Sequence, residues 1–248
     1  MSFEGKVALV TGGSAGIGQA TALRLAAEGC AVGVLGHDPE KAEAVAAEVR
    51  QAGGRAIALA ADVASTEQVK GAIDALVGEF GRLDLLFANA GINGVWAPID
   101  EIAPDEWDRT INTNLRGTYL TLHHGVPHLK RAGGGAVVIT ASVNGTRIFS
   151  NAGATAYSCT KAAQVAMAQM LALELAKFRI RVNVVCPGSI RTEIEDSTTH
   201  RDTEAAGEPV EYPAGHVPLT RGEPGTAEEV ADLVAFLLSE RARHITGT

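Results

Sequence analysis

The chain is short of several things that often define a protein's class. Its 248 residues include only three cysteines, Cys30, Cys159 and Cys186, far apart and in no Cys-x-x-Cys pair. That argues against a disulfide framework or a zinc knuckle and fits a reducing compartment. No stretch approaches the roughly 18 uncharged apolar residues that a membrane-crossing helix needs. Met1–Val10 lacks a charged-then-apolar signal pattern, because glycine-rich sequence begins at Gly12. Basic residues are outnumbered, 21 against 29 acidic, giving a net charge of −8 with no long basic run. Such a surface repels a phosphate backbone, so nucleic acid is not an expected partner. A cytoplasmic protein that binds neither nucleic acid nor membrane is the expectation.

Aromatic residues make up only 4%, against 46% hydrophobic residues overall and 28 glycines. A sizeable core is therefore available, built from aliphatic side chains and suited to close packing of helices on a sheet. Short β-branched apolar runs alternate with longer amphipathic stretches, the pattern of βα repeats over a parallel sheet. The runs Val7–Val10, Val32–Leu35, Ala56–Ala60, Leu83–Ala88, Ala136–Thr140 and Ile180–Val185 predict six strands. Between them, helices are predicted at Ile17–Glu28, Pro39–Ala52, Thr66–Phe80, Asp105–Arg131 and Thr155–Lys177, with a last one at Thr226–Ser239. Pro39 suits a helix start. The two longest are apolar on more than one face, which points to a subunit interface, a thicker monomer core being the alternative. Glu193–Gly225 breaks the rhythm: it is polar, proline-containing and too long for an ordinary connection. A lid over a site is the expectation there, with a disordered insertion as the plainer alternative. No internal repeat or domain boundary is visible, so residues 1–248 read as one domain.

Two motifs carry chemistry. Thr11-Gly12-Gly13-Ser14-Ala15-Gly16-Ile17-Gly18 follows the first strand directly. It departs from the generic G-x-G-x-x-G spacing. Glycines there still permit a tight turn and let backbone approach a pyrophosphate seated on the next helix N-terminus. The second motif is Tyr157-Ser158-Cys159-Thr160-Lys161, whose tyrosine and lysine share a helix face. A free phenol has a pKa of about 10. A neighbouring ammonium favours the phenolate, so Lys161 is expected to lower the pKa of Tyr157. Each motif alone is weak, since glycine turns and Tyr-x-x-x-Lys spacings are common.

In company they resemble the short-chain dehydrogenase/reductase family in its single-domain form, and the likeness runs over nearly the whole chain. The family's Thr-Gly-x-x-x-Gly-x-Gly is matched by Thr11 to Gly18, and its Asn-Ala-Gly by Asn89-Ala90-Gly91. The catalytic asparagine is matched by Asn114, the catalytic serine by Ser142, and Tyr-x-x-x-Lys by Tyr157 and Lys161. The Pro-Gly segment after the sixth strand is matched by Pro187-Gly188 with Ile190 and Thr192, and the acidic residue that meets the adenine by Asp62-Val63. The resemblance implies a Rossmann-type, doubly wound parallel sheet in three αβα layers. It implies an NAD(P)-dependent oxidoreductase that moves a hydride between nicotinamide and an alcohol, ketone or 3-oxo-acyl substrate, with no metal.

On the same footing, Tyr157 is the implied general acid/base. Ser142 holds the substrate oxygen, Lys161 binds the nicotinamide ribose, and Asn114 supports a water that relays protons from Lys161 to solvent. Cofactor contacts are implied for Gly12, Ser14, Gly16, Ile17, Gly18, His37, Asp62, Val63, Asn89, Ala90, Gly91, Tyr157, Lys161, Pro187, Gly188, Ile190 and Thr192. Asn93, Trp96, Asn144, Phe149 and the 193–225 loop fall where the family lines its substrate pocket. A catalytically silent NAD(P)-binding regulator and an epimerase or dehydratase of the same superfamily are the alternatives.

The choice between NAD and NADP stays open. The carboxylate that favours NAD falls at Gly36, and the arginine common in NADP users falls at His37. Ala15 adds no positive charge to the glycine loop, and Asp38 either reaches the ribose or caps the next helix. A homo-oligomer, tetramer or dimer, through the two long helices is expected. The family continues past Ile245-Thr246-Gly247 into a seventh strand, whereas the sequence given ends at Thr248. Without that strand a sheet edge and a common tetramer contact would be missing. His124 and His128 have a spacing compatible with a metal but no third ligand. Cys159 points off the Tyr157–Lys161 face.

Overall fold

The computed structural model describes residues 2–146, 151–207, 220 and 222–248. Six parallel strands form the central sheet: β1 (Val7–Thr11), β2 (Ala31–Gly36), β3 (Arg55–Ala60), β4 (Leu85–Ala88), β6 (Gly135–Thr140) and β7 (Ile180–Val185). Their spatial order is β3-β2-β1-β4-β6-β7, with registers such as Val10 beside Val34 and Phe87 beside Val138. The chain winds outward from β1 in one direction, then restarts at β4 in the other. A crevice therefore opens at the carboxyl ends of β1 and β4, where a doubly wound sheet binds its ligand.

Alternation along each strand supplies both faces of the core. Leu9, Leu86, Val137 and Ile139 pack on one side, facing α3 (Thr66–Phe80), α5 (Gly117–Arg131) and α6 (Thr155–Leu175). Val10, Phe87 and Val138 pack on the other, with Leu25 of α1 (Gly16–Ala27), Val45 of α2 (Pro39–Gln51) and Val234 of α7 (Ala227–Leu238). This is the expected single-domain three-layer α/β fold. Helix starts follow local chemistry: Asp38 caps α2, Ser65 caps α3, and Thr226 with Glu229 forms a capping box on α7. Arg181 on β7 donates to the carbonyls of Leu237, Leu238 and Ser239, satisfying the far end of α7. Among the described residues no helix is long and apolar enough to cross a membrane.

Three features depart from the pattern read in the sequence. The helix predicted over Asp105–Arg131 is two helices, α4 (Pro104–Ile111) and α5, joined through a π-turn at Asn112–Arg116. A single wide turn leaves hydrophobic periodicity almost intact, so spacing does not reveal it. The fourth strand begins at Leu85, because Asp84 turns its carboxylate onto the Val7 N–H (3.0 Å) and onto Arg82. Finally, within the 193–225 segment a 3-10 turn, Glu193–Ser197, leads into β8 (Thr198–His200). β8 pairs in parallel with β5 (Gly94–Trp96), a second small sheet unseen in the sequence. Both strands are three residues long, below what alternation can signal. At the sheet's outer edge Gly247 donates to the Val182 carbonyl (2.7 Å) and Val184 to that of Thr248 (2.8 Å).

Asp84 is almost fully buried and satisfies the first N–H of β1 as well as Arg82. Asp84→Ala is expected to cost about 2–3 kcal/mol of unfolding free energy, since it strands a buried N–H and releases its cation. Chemical denaturation measures this, and a loss below about 0.5 kcal/mol would contradict the assigned role.

Candidate active site

The crevice floor is tied together by short side chains at the strand ends. Thr11 Oγ1 accepts from the N–H groups of Asn89 (3.0 Å) and Ala90 (3.1 Å), joining β1 to the segment after β4. The Asn89 amide donates to the Thr11 carbonyl (3.2 Å) and accepts from Thr140 Oγ1 (3.0 Å), adding β6. Asn89 was expected among the cofactor contacts. Its side chain holds three strand ends in place.

Above this floor runs the glycine loop. Gly12 and Gly16 adopt φ of +62° and +50°, which side chains with a Cβ rarely tolerate. A Cβ on Gly18 would stand 2.0 Å from the Gly12 carbonyl oxygen, so the turn closes only with glycine there. The first residue flanking α1, Ala15, offers no side-chain cap, and the first turn holds no acidic residue. The leading N–H groups of α1 thus face the crevice as an uncapped helix N-terminus, which suits a pyrophosphate. Thr192 lies over Gly16, its Cβ 3.2 Å from where a Gly16 Cβ would be. An open cavity of about 500 Å³ flanks this phosphate end, between Gly16, Gln19, Thr192 and Ala227, not the Tyr157 end.

At the adenosine end the two possibilities left for Asp38 resolve. Its Oδ1 accepts from the N–H groups of Glu40 (3.0 Å) and Lys41 (3.1 Å), so it caps α2. A Cβ on Gly36 would meet Ser14 Oγ at 2.6 Å, so Ser14 fills the space a side chain at Gly36 would need. His37 is exposed at the same strand end. Asp62 turns Oδ1 onto the Ala64 N–H (2.9 Å), while its own N–H goes to Gln68; Val63 is buried against Gly117. On the opposite side Pro187 accepts from the Val143 N–H (3.1 Å), and Ile190 bridges to Gly225, fixing the segment that follows β7.

The residues expected to do chemistry converge beyond Gly91. Ser142 caps a 3-10 turn, Val143–Gly145, accepting from the Asn144 N–H (3.2 Å), and its hydroxyl is within hydrogen-bonding reach of the Tyr157 phenol. Lys161 Nζ lies 5.5 Å from the centre of the Tyr157 ring and donates to the Thr140 carbonyl (2.9 Å). A Cβ on Gly91 would stand 3.5 Å from Lys161 Nζ and 3.2 Å from Asn114 Oδ1, so glycine keeps this approach open. Asn114 sits on the π-turn, fully buried. Its amide accepts from the Ile92 N–H (2.8 Å) and donates to the Ile92 carbonyl (2.9 Å) and to Thr160 Oγ1 (3.2 Å).

Burial dominates the electrostatics here. It raises the pKa of Tyr157 above its ordinary value; the Ser142 hydrogen bond opposes this, and the Glu195 carboxylate adds to it. The lowering expected from Lys161 does not prevail, because the ammonium is turned to Thr140 and is itself desolvated. Burial pushes Lys161 down to about 8. Burial also raises the Cys186 thiol, which lies near both Ser142 and Lys161.

The substrate side is walled by the β5–β8 pair. Trp96 stands 6.4 Å from Tyr157 and edge-on to His200 at 5.4 Å, ring centre to ring centre. Asn93, expected to line the pocket, uses its amide on Thr198 Oγ1 (2.7 Å) and its N–H on Ser197 Oγ (3.0 Å), fastening the wall. Arg201 closes it with a forked bond to Glu106 on α4, which holds the Glu106 carboxyl below its usual range. Phe149 and residues 208–219 and 221 of the expected lid lie outside the described residues. Sequence reading missed His200, Glu195, Thr140 and Thr160. For Thr160 a signal existed, as it sits inside the Tyr-x-x-x-Lys segment; the others depend on tertiary contact.

The family model described as short chain dehydrogenase matches residues 6–203. The chain belongs to the short-chain dehydrogenase family. It is 39% identical over 246 residues to a cyclohexanol dehydrogenase of Acinetobacter sp. (strain SE19), covering 99% of this chain and 92% of the relative. Among solved structures, a 3-ketoacyl-ACP reductase from Sinorhizobium meliloti 1021 is 60% identical with a TM-score of 0.93, over 97% of this chain and 94% of that one. Short-chain dehydrogenases resembling it carry either nicotinamide. A Brucella melitensis 3-ketoacyl-(acyl-carrier-protein) reductase was solved with NADH (32% identity, TM-score 0.86, 99% and 96% covered). A Burkholderia cenocepacia J2315 short chain dehydrogenase was solved with NADP (37%, 0.85, 100% and 96%). The chain is thus an oxidoreductase of the NAD(P)-dependent short-chain dehydrogenase type, and the epimerase and catalytically silent alternatives are disfavoured.

Proposed function

We propose that this short-chain dehydrogenase interconverts a secondary alcohol and its ketone, or a 3-oxo-acyl group, with Tyr157 as general acid/base. The convergence of Ser142, Tyr157 and Lys161 beside the glycine-loop crevice carries this reading. The chemistry that bound NAD(P) would supply here is hydride exchange with the substrate carbon. The chain's own residues do the rest. The uncapped start of α1, with Gly12, Gly13 and Gly18 and with Thr192 over Gly16, would take the pyrophosphate, and the Pro187–Ile190 segment would border the nicotinamide end. Ser142 donates to the substrate oxygen and shares its field with the phenol. Tyr157 gives its proton to that oxygen in reduction and takes one in oxidation. Lys161 supplies the nearby ammonium, and Asn114 fixes the turn behind both. Trp96 and His200 give the substrate an aromatic wall suited to a ring or an alkyl chain. The names of its relatives, one acting on cyclohexanol and one on a ketoacyl group, fit such a pocket. The 193–225 segment is the lid of this reading; of its described residues, 193–207 are anchored through β8.

The adenosine end favours admission of NADP. Gly36 carries no carboxylate and Ser14 Oγ stands in its place, so no acidic group at position 36 opposes a 2′-phosphate, and the nearby Asp38 carboxylate is turned toward the start of α2.

The outer face of α6 presents Ala162, Ala166, Met170 and Leu173, the last two 68% and 80% exposed, and α5 exposes Tyr119. A contiguous apolar stripe of this kind suits a homo-oligomer formed through these two helices. The scattered free cysteines suit the cytoplasm.

Tyr157→Phe is expected to lower kcat by about 100- to 10,000-fold with cofactor affinity unchanged. Because the phenol is held protonated, wild-type alcohol oxidation rises as pH rises while ketone reduction falls. Steady-state rates in both directions check this, and near-normal turnover in the variant would remove Tyr157 from the chemistry. For the cofactor, wild type should bind NADPH at least as tightly as NADH. Gly36→Asp in a Ser14→Gly background, which makes room for the side chain, should shift that preference toward NADH by roughly tenfold or more, or about 1.4 kcal/mol. Fluorescence titration reads both constants, and an unmoved ratio sinks the assignment. Sedimentation equilibrium tests the α5–α6 face: a monomer at micromolar concentration rules that interface out.

A further inference from the structure

Arg201 follows directly on β8, and its main chain and side chain are both committed. Its N–H donates to the Trp96 carbonyl (2.9 Å), extending the β5–β8 ladder by one rung. Its guanidinium reaches α4 and the turn before it. Nη1 donates to the Glu101 carbonyl (2.6 Å) and to Glu106 Oε2 (3.1 Å), and Nη2 donates to Glu106 Oε1. Glu106 Oε2 also accepts from the Ala103 N–H (3.0 Å), so one carboxylate both opens α4 and receives Arg201. α4 meets the other strand as well, for a Cβ on Gly94 would stand 2.2 Å from Thr110 Oγ1.

The peptide unit between Trp96 and Ala97 is held from both sides. Its carbonyl accepts from Arg201, and its N–H donates to the Gly153 carbonyl (3.2 Å). A Cβ on Gly153 would stand 2.5 Å from the Ala97 nitrogen, so the two backbones touch there. Gly153 lies two residues before α6, whose first turn carries Tyr157. The indole is fixed in turn, since its Nε1 donates to the Asn93 carbonyl (3.2 Å). Trp96 is therefore suspended between α4, through the Arg201–Glu106 pair, and the start of the tyrosine helix, through Gly153. A partly exposed ion pair contributes little as a rule, but a forked guanidinium–carboxylate pair fixes direction as well as distance.

We infer that Arg201 and Glu106 are positioning residues for substrate: their pair latches Trp96 beside Tyr157 and so sets a preference for ring-shaped over small acyclic alcohols. This rests on the aromatic wall proposed for Trp96 and His200. The glycine-loop cradle and the group Ser142, Tyr157 and Lys161 are carried by other elements. Loss of the latch therefore loosens the wall and leaves the acid/base groups where they are. A small alcohol that does not reach the wall is indifferent to it.

The test uses Glu106→Gln and Arg201→Met. Glutamine still offers an oxygen to the Ala103 N–H, so the start of α4 survives while the charge is lost. The chain has two tryptophans, Trp96 and Trp107, so in a Trp107→Phe parent the emission reports Trp96 alone, with no substrate present. In both variants that emission should shift to the red and acrylamide quenching should rise, because Trp96 is only 8% exposed while latched. KM for cyclohexanol should rise on the order of tenfold, the scale of a lost apolar contact. Its kcat, the KM for 2-propanol and the cofactor dissociation constant should stay within about twofold. Arg201→Lys keeps the charge and loses the fork, and should fall between. The double variant should be no worse than either single one, as two residues acting only through each other require. Should Arg201→Met not fold, Glu106→Gln carries the expectation by itself. A pair that served stability alone would lower the thermal midpoint and leave emission and the KM ratio as in wild type. That result, with Trp96→Ala raising KM for cyclohexanol, would overturn the latch alone. An emission shift with an unchanged KM ratio would overturn its part in specificity. An unchanged ratio in Trp96→Ala as well would remove the aromatic wall, and this inference with it.

Discussion

Thr140 is the point on which the site depends. Its hydroxyl donates to Asn89, which ties β6 to β1 and to the segment after β4. Its carbonyl accepts from the Lys161 ammonium. One residue at a strand end thus joins the cradle that takes phosphates to the cation beside the phenol. A parallel sheet makes this possible, because all its strands deliver their carboxyl ends to the same rim. The crevice is a by-product of topology; the hydrogen bonds at its floor turn it into a site.

The polar groups there are held at a cost that the fold meets by pairing them. Lys161, Asn114, Thr160 and Gln164 are all buried, and nearly every donor among them has an acceptor within the chain. Low dielectric acts on both partners of the acid/base pair: it keeps the phenol protonated and weakens the hold of Lys161 on its proton. The two shifts run in opposite directions and so separate groups whose ordinary proton affinities lie close together: the phenol holds its proton more firmly, while the ammonium, at about 8, gives up its own more readily.

Much of this was legible in the residue order. Alternating short and long apolar patterns located all six strands of the main sheet, and the glycine loop and Tyr157–Lys161 marked both ends of the site. What escaped had a physical reason in each case. The π-turn at Asn112–Arg116 adds one residue to a turn and barely disturbs periodicity. β5 and β8 are too short to alternate and owe their existence to each other. Asn89 and Asn93 were marked by the family resemblance; that their side chains also fasten strand ends and the β5–β8 wall depends on tertiary partners distant in sequence. The pKa of Tyr157 went the other way from expectation because spacing names a neighbour but not the depth at which both are buried.

The β5–β8 ladder has an implication for how the pocket can change. Its three matched pairs, Gly94 with Thr198, Val95 with Thr199 and Trp96 with His200, set His200 against Trp96, the ring that stands near Tyr157. In a strand, a slip of one residue turns every side chain to the opposite face. Insertion of a single residue between Thr192 and Thr198 would therefore bring Thr199 opposite Trp96 in place of His200, and loss of one would bring Arg201 there. Substrate range in this enzyme is thus adjustable by loop length as well as by residue identity, with the acid/base machinery left in place.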